Sequence, residues 1–123
     1  MNTPQIFESE YKFCLLLWDL KPINSTKLVQ VCKEKLGWSK ATTYTVIRRL
    51  SERGVVKNEN SIVTALVSKE DVQKARMENL MEETFQGSMP AFIAAFSRSK
   101  RLSRQEVEQL QALIDNFKEE EAL

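Results

Sequence analysis

Apolar residues return along this chain at helical spacing almost everywhere, and the exception is a single short stretch. Phe7, Tyr11, Cys14 and Trp18 recur at i, i+4, i+7 and i+11. That spacing predicts a first helix from Ser9 to Leu20 with these four as its core stripe, ended by Lys21-Pro22. Leu28, Val31, Cys32 and Leu36 line a second helix, capped by Asn24 or Ser25 and closed by Gly37. A third opens at Ser39, an N-cap candidate, and runs until Gly54, with Thr43, Ile47 and Leu50 making its apolar face. The exception follows at once. Val55-Val56-Lys57 and Ile62 to Val67 are β-branched arms around the polar turn Asn58-Glu59-Asn60-Ser61, which predicts a β-hairpin.

Helical spacing then resumes. Ser68 caps a helix with Glu70 and Asp71 in its first turn, where the helix dipole favours acidic groups, and it runs to about Gln86. Gly87-Ser88-Met89-Pro90 breaks it, and Pro90 suits the first turn of the next helix, which continues through Ala91 to Phe96. Ser103 with Glu106 is a capping-box pattern for a last helix carrying Val107, Leu110, Ile114 and Phe117 at near-heptad spacing.

Three helices and a hairpin in this order, with only Gly37-Trp38 between helices two and three, predict a winged helix over residues 1–67. Residues 68–123 form a helical region of their own. The fold class is therefore mainly α with a small β-hairpin wing: a winged helix-turn-helix plus a C-terminal helical region. A tail of about fifty residues buries little core alone. Phe85, Met89, Phe92, Ile93, Phe96 and Leu102, with Leu110 and Ile114 on the last helix, need a partner surface. Pairing with a second copy is the economical solution, since two-fold homodimers are the commonest oligomers. The alternative is that these faces fold back on their own winged helix.

The third helix carries a second stripe. Thr42, Thr45 and Arg49 recur at i, i+3 and i+7, flanked by Tyr44 and Arg48. Short hydroxyls and a guanidinium suit phosphate and base-edge contacts and leave room to enter a groove. Ser39 and Lys40 stand at the helix start, where N-terminal amides favour anions, although Ser39 has a capping role as well. Tyr44 either packs on the neighbouring helix or reaches a phosphate or base. Lys57 and Asn58 in the wing are placed for a backbone contact. Each winged helix would put its third helix in a major groove of double-stranded DNA, and a dimer would span a palindrome.

Charge supports this only mildly. Residues 1–67 hold 10 Lys and Arg against 6 Asp and Glu, a balance of +4; residues 68–123 hold 8 against 11, a balance of −3. The front half is the better candidate for facing phosphates. Composition removes other classes. With no His, the chain lacks the usual general base and the Ser-His and Cys-His nucleophile pairs, and its three isolated glycines make no phosphate loop. Enzymatic chemistry is not expected. Cys14 and Cys32 lie on apolar faces and read as buried reduced thiols; two Cys without His argue against a zinc site, so no cofactor is expected. The longest apolar run, Phe13 to Trp18, is too short to span a bilayer, and the first residues lack a secretory pattern. A cytoplasmic location is the expectation.

Several of these segments together resemble the penicillinase repressor family (the BlaI, MecI and CopY type) over nearly the whole chain. Ser9-Glu10-Tyr11 and Leu17-Trp18 look like the family's opening. Trp38, Ser39, Thr42, Thr45, Arg49, Leu50 and Gly54 match its recognition segment, and Leu102 to Leu110 match the Leu-Ser-x-x-Glu-x-x-x-Leu of its tail. The resemblance implies a dimeric repressor on a palindromic operator, controlling antibiotic-resistance (β-lactam resistance) or stress genes. It also implies inactivation by cleavage in the dimerisation region through a membrane sensor-protease pathway. There are departures. Ala41 stands where a basic residue is usual and Tyr44 where an Arg is common, so the operator sequence is expected to differ. The wing is shorter and lacks an aromatic pair, and the family's Asn-Phe cleavage bond falls at Ala95-Phe96. No cysteine follows Cys32, so the copper branch's cysteine-rich tail is absent and copper sensing is not expected. From the residues alone, a winged helix that binds a protein partner without sequence-specific DNA binding is the other reading.

Overall fold

The computed structural model describes residues 3–99 and 101–122. These fall into two units, Met1–Met77 and Glu78–Leu123.

In the first unit, helix α1 spans Glu8–Leu20, with Glu8 and Glu10 in its first turn. Glu10 Oε1 reaches back to accept the Phe7 N–H at 2.9 Å, which satisfies one of the orphan donors of the helix start. The face turned to the core is Glu10, Phe13, Cys14 and Leu17. This corrects the expected stripe: of Phe7, Tyr11, Cys14 and Trp18 only Cys14 is buried, and Phe7 is 55% exposed. Both sets have helical spacing. The observed one contains a carboxylate, which pattern reading takes for a solvent position, and Arg53 makes its burial tolerable by pairing with it.

After a cis Lys21–Pro22 bond, residues Ile23–Asn24 form a short strand β1, an element the sequence pattern does not announce. Helix α2 spans Ser25–Leu36; Asn24 Oδ1 accepts the Thr26 N–H at 2.8 Å, and Gly37 closes the helix at φ +70°. Helix α3 spans Lys40–Glu52 and is capped by Ser39, as expected. Strands β2 (Val56–Glu59) and β3 (Ile62–Ala65) form the wing, and β1 adds to it antiparallel in the order β1-β3-β2. The turn is tighter than the four polar residues imply. Asn60 and Ser61 alone make it, at φ +53° and +64°, the geometry of a primed two-residue hairpin turn. Asn58 is accordingly a strand residue opposite Val63, not a turn residue.

The core of this unit joins all its parts. Phe13 and Leu17 of α1, Leu28 of α2, Leu50 of α3, Val55 before the wing and Val63 within it are all fully buried. Each such side chain contributes roughly 1.5–3 kcal/mol by leaving water. Trp38, in the connection between α2 and α3, stacks on Phe13 at 6.0 Å between ring centroids.

Helix α4 spans Lys69–Phe85, and its first part belongs to this same unit. Val72 is buried, and Arg76 bonds Glu8 at 2.8 Å while its guanidinium lies 3.9 Å from the Tyr11 ring centroid. The division between units thus falls inside α4, ten residues beyond the 67/68 junction read from the sequence.

The second unit holds the end of α4, helix α5 (Met89–Ser99) and helix α6 (Arg104–Ala122). Ser88 caps α5 by accepting the Ala91 N–H at 3.1 Å. Ser103 and Glu106 form the expected capping box on α6, each accepting the other's backbone N–H at 3.1 and 3.0 Å. Phe85 meets Phe92 edge-on at 5.5 Å, and Phe92 stacks on Phe96 at 6.2 Å. Among the described residues of this unit Met81 alone is buried. No helix of the described residues is long and apolar enough to cross a membrane.

Candidate nucleic-acid interface

Helix α3 has two sides of opposite character. Thr43, Val46, Ile47 and Leu50 are buried and fix the helix against the core. Ser39, Lys40, Thr42, Arg48 and Arg49 are exposed, and Thr45 is half-buried between them. The core face therefore dictates which residues are offered outward, because rotating the helix would expose Leu50 and Ile47.

The start of α3 is held by hydroxyls. Ser39 Oγ accepts the Thr42 N–H at 3.1 Å and donates to Thr42 Oγ1 at 3.0 Å, while Thr43 Oγ1 donates to the Ser39 carbonyl at 3.2 Å. Thr42 Oγ1 accepts through a lone pair, so its proton can still be given to an outside oxygen such as a phosphate. Thr42, Thr45 and Arg49 lie on consecutive turns of one helix side, the stripe that the sequence spacing predicts.

Tyr44 sits differently. It is half-buried against the core, and its hydroxyl donates to Ser25 Oγ at the start of α2 at 3.3 Å. Of the two readings open at the sequence level, its hydroxyl takes the neighbouring helix. In the wing, Lys57 is exposed and paired with Glu59 Oε2 at 2.5 Å, and Asn58 is exposed beside it. Lys57 holds the Glu59 carboxyl below the usual carboxylate range.

One basic residue that the sequence reading passes over is Arg53, at the end of α3. It pairs with Glu10, donates to the Gln5 carbonyl at 2.8 Å and lies 5.2 Å from the Phe7 ring centroid. Burial alone would raise the Glu10 carboxyl. Arg53, the Phe7 N–H and, more distantly, Arg49 outweigh it, so the carboxyl stays below its ordinary range. The Arg53 charge is therefore engaged by partners within the fold, although its side chain keeps 27% exposure. The sequence signal for this was a carboxylate at core spacing in the first helix. Both thiols are likewise internal: burial pushes Cys14 up to about 12 and raises Cys32.

In the second unit, Phe92, Ile93, Phe96, Leu102 and Leu110, with Leu113, line a groove of about 380 Å³ between α5 and α6. Phe85 is half-buried, and Met89 and Ile114 are exposed, at 49% and 53%. The Ala95–Phe96 bond lies within α5.

The penicillinase repressor family matches residues 6–116 of this chain. The penicillinase repressor of Bacillus licheniformis is 19% identical over 119 residues, covering 94% of this chain and 93% of its own length. A Latilactobacillus sakei protein known only as an uncharacterized 16.5 kDa protein in the ptsI 3' region is 28% identical over 117 residues, covering 92% of this chain and 80% of its own. Among solved structures, the Bacillus licheniformis BlaI monomeric form in complex with the blaP half-operator aligns at a TM-score of 0.50 and 23% identity. It covers 57% of this chain and 90% of that one, and it supports the winged-helix fold. The family is one of transcriptional repressors and not of enzymes. With a match from Ile6 to Asn116, the chain belongs to the penicillinase repressor family.

Proposed function

We propose that this protein is a DNA-binding transcriptional repressor that acts as a homodimer on a palindromic operator in the cytoplasm. The observation that carries the reading is the outward stripe of Thr42, Thr45 and Arg49 on a capped helix whose other side is locked in the core. Helix α3 enters the major groove, with Arg49 toward a base edge or phosphate and Thr42 and Thr45 close to the groove wall. Lys40 and Arg48 flank the stripe and neutralise phosphates, Ser39 marks the helix start where backbone amides favour anions, and Lys57 and Asn58 bring the wing to the sugar-phosphate backbone. The relative from Bacillus licheniformis, solved in complex with a half-operator, supports a DNA partner.

The groove between α5 and α6 and the exposed Met89, Ile114 and Phe117 support pairing with a second copy. Two linked half-site contacts then raise operator affinity through effective concentration. Release follows from cleavage in the second unit by a sensor-protease pathway that starts at the membrane, with antibiotic-resistance or stress genes as the controlled set. The candidate bond, Ala95–Phe96, is helical, so α5 must open before it is cut. Cleavage thus competes with dimer stability.

Binding to duplex DNA as a function of salt tests the main reading. Affinity is expected to fall steeply as salt rises, because each neutralised phosphate releases counterions. Arg49→Ala is expected to cost about 1–3 kcal/mol at one base position, or to flatten the salt slope by about one if the contact is to phosphate. Salt-independent binding, or none, overturns it and leaves the protein-partner reading. Incubation with the activated sensor, leaving the chain intact, sinks the cleavage step.

A further inference from the structure

Three parts of the first unit meet at Ser25. The residue is 4% exposed although it stands at the first turn of α2. Its Oγ accepts the Tyr44 hydroxyl from α3 at 3.3 Å. Its backbone N–H donates to the Ser61 carbonyl at 2.8 Å. Ser61 is the second residue of the wing turn, held at φ +64°. The two residues before Ser25, Ile23 and Asn24, are the strand β1 that pairs with Val63 and Ile62 of the wing.

A hydroxyl on α3, a hydroxyl and an amide on α2, and a carbonyl in the wing turn therefore form one continuous chain. Left-handed backbone at a serine persists only where the surroundings hold it. Here the β2–β3 pairing and the Ser25 amide hold it together, and the Tyr44 hydroxyl bonds the residue that carries that amide.

We infer that Tyr44 is a positioning residue: through Ser25 it sets the wing turn relative to the recognition helix, so that both reach DNA in one register. The inference rests on the DNA-binding reading for its purpose, while the tie itself is measurable without DNA. In this view Tyr44 touches no nucleic acid. It selects sites at a distance, by fixing how far the wing can follow a groove of given width.

The test compares Tyr44→Phe, Ser25→Ala and the double variant in the full chain. Amide exchange is followed without DNA. The Ser25 and wing-turn amides of each single variant are expected to exchange about 2- to 10-fold faster, the factor one hydrogen bond is worth. The double variant should go no further, since the same bond is lost. Unchanged exchange in both singles, or losses that add in the double, overturns the tie.

Affinity is then measured for a duplex selected by the wild-type protein from a random-sequence pool. Tyr44→Phe and Ser25→Ala are expected to weaken it equally, several-fold, with the double variant no weaker than either. A loss in Tyr44→Phe with none in Ser25→Ala means that Tyr44 contacts DNA directly and overturns the positioning role, because Ser25 is buried. If the wild type selects no duplex, the DNA-binding reading fails while the exchange comparison still decides the tie. Ser25→Thr, which keeps the hydroxyl, is expected to recover both readouts where Ser25→Ala does not.

Discussion

The two units of this chain use apolar residues in opposite ways. In the first, Phe13, Leu17, Leu28 and Leu50 are wholly buried, and the surface left over is the polar stripe of α3. In the second, Val107, Leu113, Ile114 and Phe117 stand 50–65% exposed along α6, and the described residues bury only Met81. Three helices and a sheet can close a core around themselves; two and a half helices cannot. The first unit thus closes a core of its own, whereas the second leaves along α6 the apolar area that the proposed pairing would cover.

The sharpest way to break this contrast is to charge the groove. Ile93→Asp with Leu113→Asp is expected to turn a dimer into a monomer in sedimentation. Operator affinity should then fall by a factor of about 10²–10⁴, the range that linking two contacts can supply, with the first unit still folded by near-ultraviolet dichroism. A chain that is already monomeric before the change removes the dimer from the mechanism.

Truncating one leucine in each unit comes next. Leu50→Ala is expected to cost about 2–5 kcal/mol at any protein concentration, since the residue has no exposure to lose. Leu113→Ala, at 65% exposure, is expected to matter only at concentrations where chains pair. Denaturant unfolding at two concentrations separates the cases. Equal, concentration-independent losses would mean that the second unit has a core of its own.

What the sequence made legible follows the same contrast. Spacing and caps announced α3, its Ser39 cap and its outward stripe, because an amphipathic helix writes both faces into its period. Ser103 with Glu106 announced α6 equally well. The buried side of α1 was hidden, since Glu10 occupies a core position and its partner Arg53 is 43 residues away. β1 was hidden because two residues have no period to read, and its pairing with β3 is long-range. The shared ownership of α4 was hidden too. Nothing local in Val72 or Arg76 shows that they belong with α1, and only the fold brings Arg76 to Glu8 and Tyr11.

Acid should sort the units as well. Glu10 is held below its ordinary range in the fold, so the stability it contributes is present above the unfolded value near 4.5 and is lost as pH falls through the lower folded one. Glu10→Gln is expected to cost about 1.5–3 kcal/mol at pH 7, the worth of a hydrogen bond to a charged group, and to flatten the acid limb of the unfolding curve. An unchanged acid limb would place the pH sensitivity elsewhere.

The smallest effect is expected at the wing, where Lys57 and Glu59 are both well exposed and their pairing is open to water. An exposed pair of this kind adds little to stability, so Glu59→Gln should leave the melting temperature within error. Its effect belongs to the presented surface. With the carboxylate gone, Lys57 is released toward a phosphate, and the salt slope of duplex binding is expected to steepen by about one. Glu10 with Arg53 links α1 to the end of α3 and Glu8 with Arg76 links α1 to α4, whereas Lys57 with Glu59, on the proposed reading, would moderate how strongly the wing grips DNA. A slope that does not move would place the wing lysine out of reach of the backbone and leave α3 to carry the contact alone.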